Sequence, residues 1–378
     1  MAGRTIKYSL LLLIGSLLCS QSMINRLRVP IQIRTAIGFG YDSNFIRLPD
    51  KDICIPNMGT CGYDVEKYGV ANVSEYGISS TLDSPILKPA FKLIYSPILM
   101  GEKTMNIVTA ISYSHFSQAT HKSYLISNLS MEIRLRPYSW FKFGIRDVPR
   151  YYLRNYHDRD DDNPRDYFEC TFSSQKYFAS YSMPIKSVPR TWIKIYSDFT
   201  KEYFNTYFTE FDFDKYMIKI DMNHRLKSKH RMKLSYSHVK ADNISHGSNT
   251  YLYSVETAFD QSYYIDKIRG EFVYTHNKLK NIDQTGISIH FEKREYHEIP
   301  PFDDVPNWRR YYDGQIKLWI DHDFWDGVGI RTWYQYRWRS FDISFYGEHQ
   351  AYDDFVKSYN KHELWIELSF EFITDILY

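Results

Sequence analysis

The sequence predicts an all-β protein: a closed antiparallel transmembrane barrel of 14–16 strands, with 16 preferred, and no helical domain after a signal peptide. Three observations predict it. Long runs of the chain alternate apolar and polar residues with a period of two. Many of these runs reach about ten residues, the length a tilted strand needs to cross a bilayer, whereas strands of soluble sandwiches average about five or six. After residue 22, no segment keeps a helical period with caps.

Composition agrees with this class. The chain has 378 residues, 34 of them tyrosine, with 17% aromatic and 24% charged residues and a mean hydropathy of −0.47. So polar an average excludes a polytopic helical membrane protein, which needs about 20 apolar residues per span. It does not exclude a barrel, because a barrel strand averages a lipid face with a watery one. Aromatic richness argues against disorder. With 47 Lys+Arg against 45 Asp+Glu, the net charge of +2 gives no case for nucleic acid as a partner.

The elements follow in order. Arg4 and Lys7 precede an apolar run from Tyr8 to Leu18, and Ser20 and Ser22 follow it. That pattern predicts a signal peptide over 1–22, leaving a barrel over 23–378. Cys19 is a poorer lipoprotein anchor, because Leu17 and Leu18 stand where small residues belong. Export permits disulfides, and Cys54 and Cys61 are the candidate pair, in a polar loop; Cys170, between Phe168 and Phe172, reads as a packed thiol. No cysteine or histidine spacing suggests a metal site, and no cofactor is expected.

Fifteen candidate strands follow, at 31–42, 87–98, 104–117, 122–136, 140–154, 166–183, 190–204, 214–226, 230–241, 250–261, 266–278, 285–297, 310–323, 328–340 and 360–376. Within 123–137, for example, Leu125, Leu129, Met131, Ile133 and Leu135 oppose Asn128, Ser130, Glu132, Arg134 and Arg136. Short turns (100–103, 137–139, 186–190, 227–230) and longer polar loops (44–76, 158–166, 241–249) separate the runs. These suit the periplasmic and extracellular ends of a barrel. Aromatics near strand ends (Tyr138, Trp140, Trp192, Tyr196, Tyr251, Tyr253, Trp338) are predicted to form interfacial girdles, and the tyrosines generally to face lipid or its interface. A single-chain barrel needs an even strand number. One false candidate gives 14; a further strand near 342–350, where Ile343, Phe345 and Gly347 alternate, gives 16.

At the C-terminus Leu364, Ile366, Leu368, Phe370 and Phe372 alternate with Glu363, Trp365, Glu367, Ser369 and Glu371, and the chain ends in Tyr378. This segment resembles the final strand of Gram-negative outer-membrane barrels. The resemblance implies an outer-membrane location and recognition by the barrel assembly machinery, with Leu368, Phe370, Phe372 and Tyr378 as the signal. Most such barrels end in Phe; this one ends in Tyr. Residues 38–44, GFGYDSN, resemble the first strand of several barrel families, including those that follow tetratricopeptide repeats in surface-lipoprotein assembly modifiers. Those repeats are absent, so the likeness implies a barrel and no particular function.

If the apolar faces meet lipid, the other faces line a lumen. The pore-lining candidates are Arg134, Arg136, Lys142, Arg146, Glu292, Arg294, Lys317, Arg331, Arg337, Arg339, Glu367 and Glu371, with Lys194, Asp198, Lys219, Asp221 and Asp321 on the same faces. Arg331, Arg337 and Arg339 on one strand would favour anionic solutes locally. The competing expectation is that these charges pair across strands and fill the interior. The acidic run 158–162 reads as a solvated loop. No HExxH, GxSxG or P-loop appears, so no enzyme is expected. The expected function is a porin-like channel for small polar or charged solutes. The alternatives are a plugged barrel presenting its long loops to partners, an outer-membrane hydrolase, and a soluble exported β-protein.

Overall fold

The computed structural model describes residues 29–45, 47, 83–97, 105–157, 167–226, 229–244, 262–276, 282–296, 309–343 and 358–376. The expected signal peptide over 1–22, Cys54, Cys61, the acidic loop 158–166, the candidate strand 250–261, Tyr251, Tyr253 and Tyr378 lie outside them.

Alternating runs become strands because each turns one face to an apolar surrounding and the other to a polar one. There are fourteen: β1 (Val29–Asp42), β2 (Ser84–Tyr95), β3 (Met105–Phe116), β4 (Tyr124–Arg136), β5 (Ser139–His157), β6 (Tyr167–Pro184), β7 (Thr191–Phe204), β8 (Phe213–Leu226), β9 (His230–Asn243), β10 (Tyr263–Thr275), β11 (Gln284–Tyr296), β12 (Arg309–Trp325), β13 (Val328–Ile343) and β14 (Tyr359–Ile376). Each pairs antiparallel with its sequence neighbours, and β1 pairs with β14 to close the barrel. Closure leaves no strand edge with unpaired backbone groups, which is what a sheet in lipid requires.

The preference for 16 strands is corrected to fourteen. β9 pairs directly with β10, Ala241 opposite Tyr263, so residues 250–261 supply no strand between them. β13 pairs directly with β14, so none is inserted near 342–350 either. Local alternation marks a segment able to form a strand, but a barrel strand also needs two neighbours in register.

The connections sort by end. Those at 96–104, 137–138, 185–190, 227–229, 276–283 and 326–327 lie at the end that carries Val29 and Ile376. Those at 43–83, 117–123, 158–166, 205–212, 244–262, 297–308 and 344–358 lie at the other. The expected turns fall at the first end and the expected long loops at the second.

Register separates the walls. On β8–β11 one parity holds Ile218 (62% exposed), Leu234 (52%), Ile268 (55%) and Phe291 (55%), all apolar and open to the outside. The other parity holds most of the ion pairs. The outer apolar band runs through Phe39, Leu87, Ile111, Ile195, Leu318, Tyr334 and Ile366 on other strands. Towards the loop end its outward positions turn polar, with Lys240–Asp242 at 2.7 Å and Lys293–Glu295 at 2.7 Å. Trp338 faces outward as expected, but Trp140, Trp192 and Tyr196 lie on the inward parity, opposite Ser182, Asn223 and Lys219. Several tyrosines also point inward, among them the buried Tyr263, Tyr311 and Tyr359. An aromatic ring with a hydroxyl suits either wall, so residue type alone does not assign the face.

Candidate functional site

The chain is an outer-membrane β-barrel: it is closed, its outer wall is an apolar band, and its charged side chains line the inside. The inner wall is therefore where its chemistry lies.

On β10–β14 the inner charges are largely paired, because register sets acids opposite bases. Asp313 faces Arg339, and the guanidinium donates to both carboxylate oxygens at 2.8–3.1 Å. Asp321 faces Arg331, whose Nη2 donates to it at 2.7 Å. Glu292 accepts from Lys267 at 2.8 Å and lies 3.4 Å from Arg294. Glu371 pairs with Arg34 on β1 at 2.8 Å and accepts from Gln32. Lys317 lies over the Trp333 ring at 4.3 Å. Glu367 faces Arg331 in register without an ion pair, and Arg337 has no acid partner among the described residues. On β7–β9, Asp221 takes Lys219 at 3.2 Å and Lys233 at 3.3 Å, and Asp198 takes Lys176 at 3.2 Å.

The wall of β2–β5 is different. Its inward bases are Lys88, Lys92, Arg134, Lys142 and Arg146, with Arg136 past a bulge at the turn, and its only inward acid over the paired stretches is Glu132. None of the six makes an ion pair among the described residues. Arg134 and Arg146 are exposed although they face inward, as is Arg34 beside them, which is how side chains standing in a wet lumen behave. Around the barrel, inward bases outnumber inward acids by roughly three to two among the described strands, against near parity in the sequence.

Eleven of the twelve pore-lining candidates thus lie on the inward parity, Arg136 standing past the β4 bulge opposite Ser139, but the three-arginine set of β13 does not stand free. Arg331 and Arg339 are tied to the preceding strand while Arg337 is not, and the main group of unpaired bases lies on β2–β5. Leu368, Phe370 and Phe372 lie on the outward face of β14.

The loop end is packed. Phe45, just past β1, is 2% exposed and sits among Ile86, Phe116, Ala119 and Trp365, its ring 6.1 Å from that of Phe116. Across the mouth, Phe213, Val239, Ala241, Tyr263 and Ile265 form a second inward cluster with Phe211 against it. Arg47 reaches over the Tyr359 ring at 5.8 Å. Burial opposes its charge, but Tyr359, Tyr151, Asp313 and Asp42 around it outweigh that and raise its pKa further. Lys122, in the 3-10 turn Thr120–Lys122, is 4% exposed; it donates to the carbonyls of Tyr152 at 2.6 Å and Leu153 at 3.0 Å and lies 4.8 Å from the Tyr151 ring. Alternation does not reach Phe45, Arg47 or Lys122, which lie outside the strands.

Burial, with Arg47 and Lys361 nearby, pushes the Lys122 ammonium down to about 8 from its ordinary 10.5. The unfolded chain holds this proton more tightly than the folded one. The penalty is therefore fully present below pH 8 and is relieved as pH rises from 8 towards 10.5. Lys122→Met is expected to gain on the order of 3 kcal/mol less than wild type from that pH rise, read as the urea midpoint of the detergent-folded barrel. An equal pH response in the two proteins would contradict it.

No protein-family model matches the sequence, and no curated protein matches it. Among solved structures, OmpT of Vibrio cholerae in its trimer form overlaps 90% of this chain and 99% of its own at 8% identity and a TM-score of 0.42. A bacterial polysaccharide outer membrane secretin overlaps 90% and 98% at 8% identity and 0.39. OccAB3 of Acinetobacter baumannii overlaps 91% and 99% at 10% identity and 0.37. Overlaps this loose carry no functional information.

Proposed function

We propose that this barrel is a passive, porin-like channel for small polar or charged solutes. The observation that carries this reading is the exposure of inward arginines, Arg34, Arg134 and Arg146, on the wall of a closed fourteen-stranded barrel. A barrel of this strand number has room for water, and ionised groups in a water-filled lumen keep their hydration and act on what passes. Permeation needs no catalytic residue. The start of the first long loop, at Phe45 and Arg47, folds into the mouth and would narrow it.

Reconstitution of the folded protein into planar bilayers tests this. Discrete conductance steps are expected; their absence would overturn the reading. A second reading, a barrel shut at its mouth, draws on the packing of Phe45 and expects steps only after Phe45→Ala.

A further inference from the structure

The free bases of β2–β5 are not scattered. Antiparallel register places Arg34 of β1 opposite Lys92 of β2, Lys92 opposite Ala110 of β3, Ala110 opposite Asn128 of β4, Asn128 opposite Arg146 of β5, and Arg146 opposite Lys176 of β6. One row of the inner wall therefore reads Arg34, Lys92, Ala110, Asn128, Arg146, Lys176. The row has two bases on each side of a short gap and no acid within it. The gap is lined by a methyl and an amide, and its β3 neighbours on the inward parity, Val108 and Ser112, are small as well. The acids that touch the row, Glu371 on Arg34 and Asp198 on Lys176, bind only its two outer members. Lys92 and Arg146 have no acid partner among the described residues.

We infer that this row is an anion-binding station on the lumen wall and that it makes the channel select small anions, such as chloride, carboxylates and oxyanions. The inference rests on the channel reading and names its solute class. The row leaves an ammonium and a guanidinium without an ion-pair partner, on either side of two small side chains. A lumen lined by one sign of charge concentrates the opposite ion and repels its own sign. Arg337, across the barrel and also unpaired, adds to the same field.

The test is the zero-current potential of single channels in a potassium chloride gradient. The wild type is expected to prefer chloride over potassium about tenfold. Lys92→Gln with Arg146→Gln is expected to lose most of that preference. Lys240→Gln, on the outer wall, is expected to keep it, and heat-modifiable migration on gels reports whether each variant has folded. Inorganic phosphate at millimolar level should reduce chloride current in the wild type and less in the double variant. Conducting channels that prefer potassium, or a folded double variant with wild-type selectivity, would overturn the anion station while leaving a channel. An absence of conductance would overturn the channel reading and this inference with it.

Discussion

Lys361→Met is expected to lower the stability of the folded barrel by about 3–5 kcal/mol, seen as a large fall in the urea midpoint in detergent. Asp42 on β1 and Glu363 on β14 face each other directly in the register that closes the barrel. The Lys361 ammonium lies between them, 2.6 Å from Asp42 and 2.9 Å from Glu363, with its side chain only 7% exposed. Removing it leaves two buried carboxylates opposed at the seam without the ammonium that touches both. Asp42→Asn combined with Lys361→Met should recover part of the loss, since one of the stranded charges is gone. Arg150→Ala, which breaks the exposed pair with Glu169, is the contrast and should cost no more than about 1 kcal/mol. Equal effects from Lys361 and Arg150 would contradict this account of the seam.

Gly286→Ala is expected to destabilise by about 1–3 kcal/mol or more, while Gly270→Ala stays neutral or stabilises slightly. Gly286 faces Trp319 in register, and the indole lies flat over the glycine, so an added Cβ would overlap the ring. Gly314 under Trp338 and Gly40 under Trp365 repeat the arrangement on the outer and inner walls. Gly270 has open space where its Cβ would stand. In each covered pair the ring fills the gap left by the glycine and pins the register of two strands. Urea titration followed by tryptophan emission separates the two variants; a Gly286→Ala barrel as stable as wild type would refute the pinning.

Much of the fold was legible because a strand exposes its surroundings in its own period. The alternation of 214–226 or 360–376 names the lipid face and the lumen face with no knowledge of neighbours, and turn length sorts the two ends. What was not legible depends on pairs of strands. Nothing near Arg331 or Arg339 in the chain shows that Asp321 and Asp313 will stand opposite them, so bases that read as free are tied. Conversely, the row from Arg34 to Lys176 spans six strands and exists only once register is known. Trp140, Trp192 and Tyr196 were assigned to the wrong wall because their rings fit both. Phe45 and Lys122 act from loops, where periodicity carries no signal. Residues 250–261 alternate well enough to look like a strand, but β9 and β10 already occupy each other's edges.

The central claim is a barrel with lipid outside and water inside, and β5 is the strand on which to test it. Nitroxide labels placed singly at positions 141, 142, 143, 145 and 146 in a cysteine-free background, in reconstituted bilayers, report collision with oxygen and with a water-soluble nickel chelate. Phe141, Phe143 and Ile145 face outward, and Lys142, Gly144 and Arg146 face inward. Oxygen maxima are expected at 141, 143 and 145 and nickel maxima at 142 and 146. Nickel maxima at the odd positions, or protection from both reagents at the even ones, would contradict it.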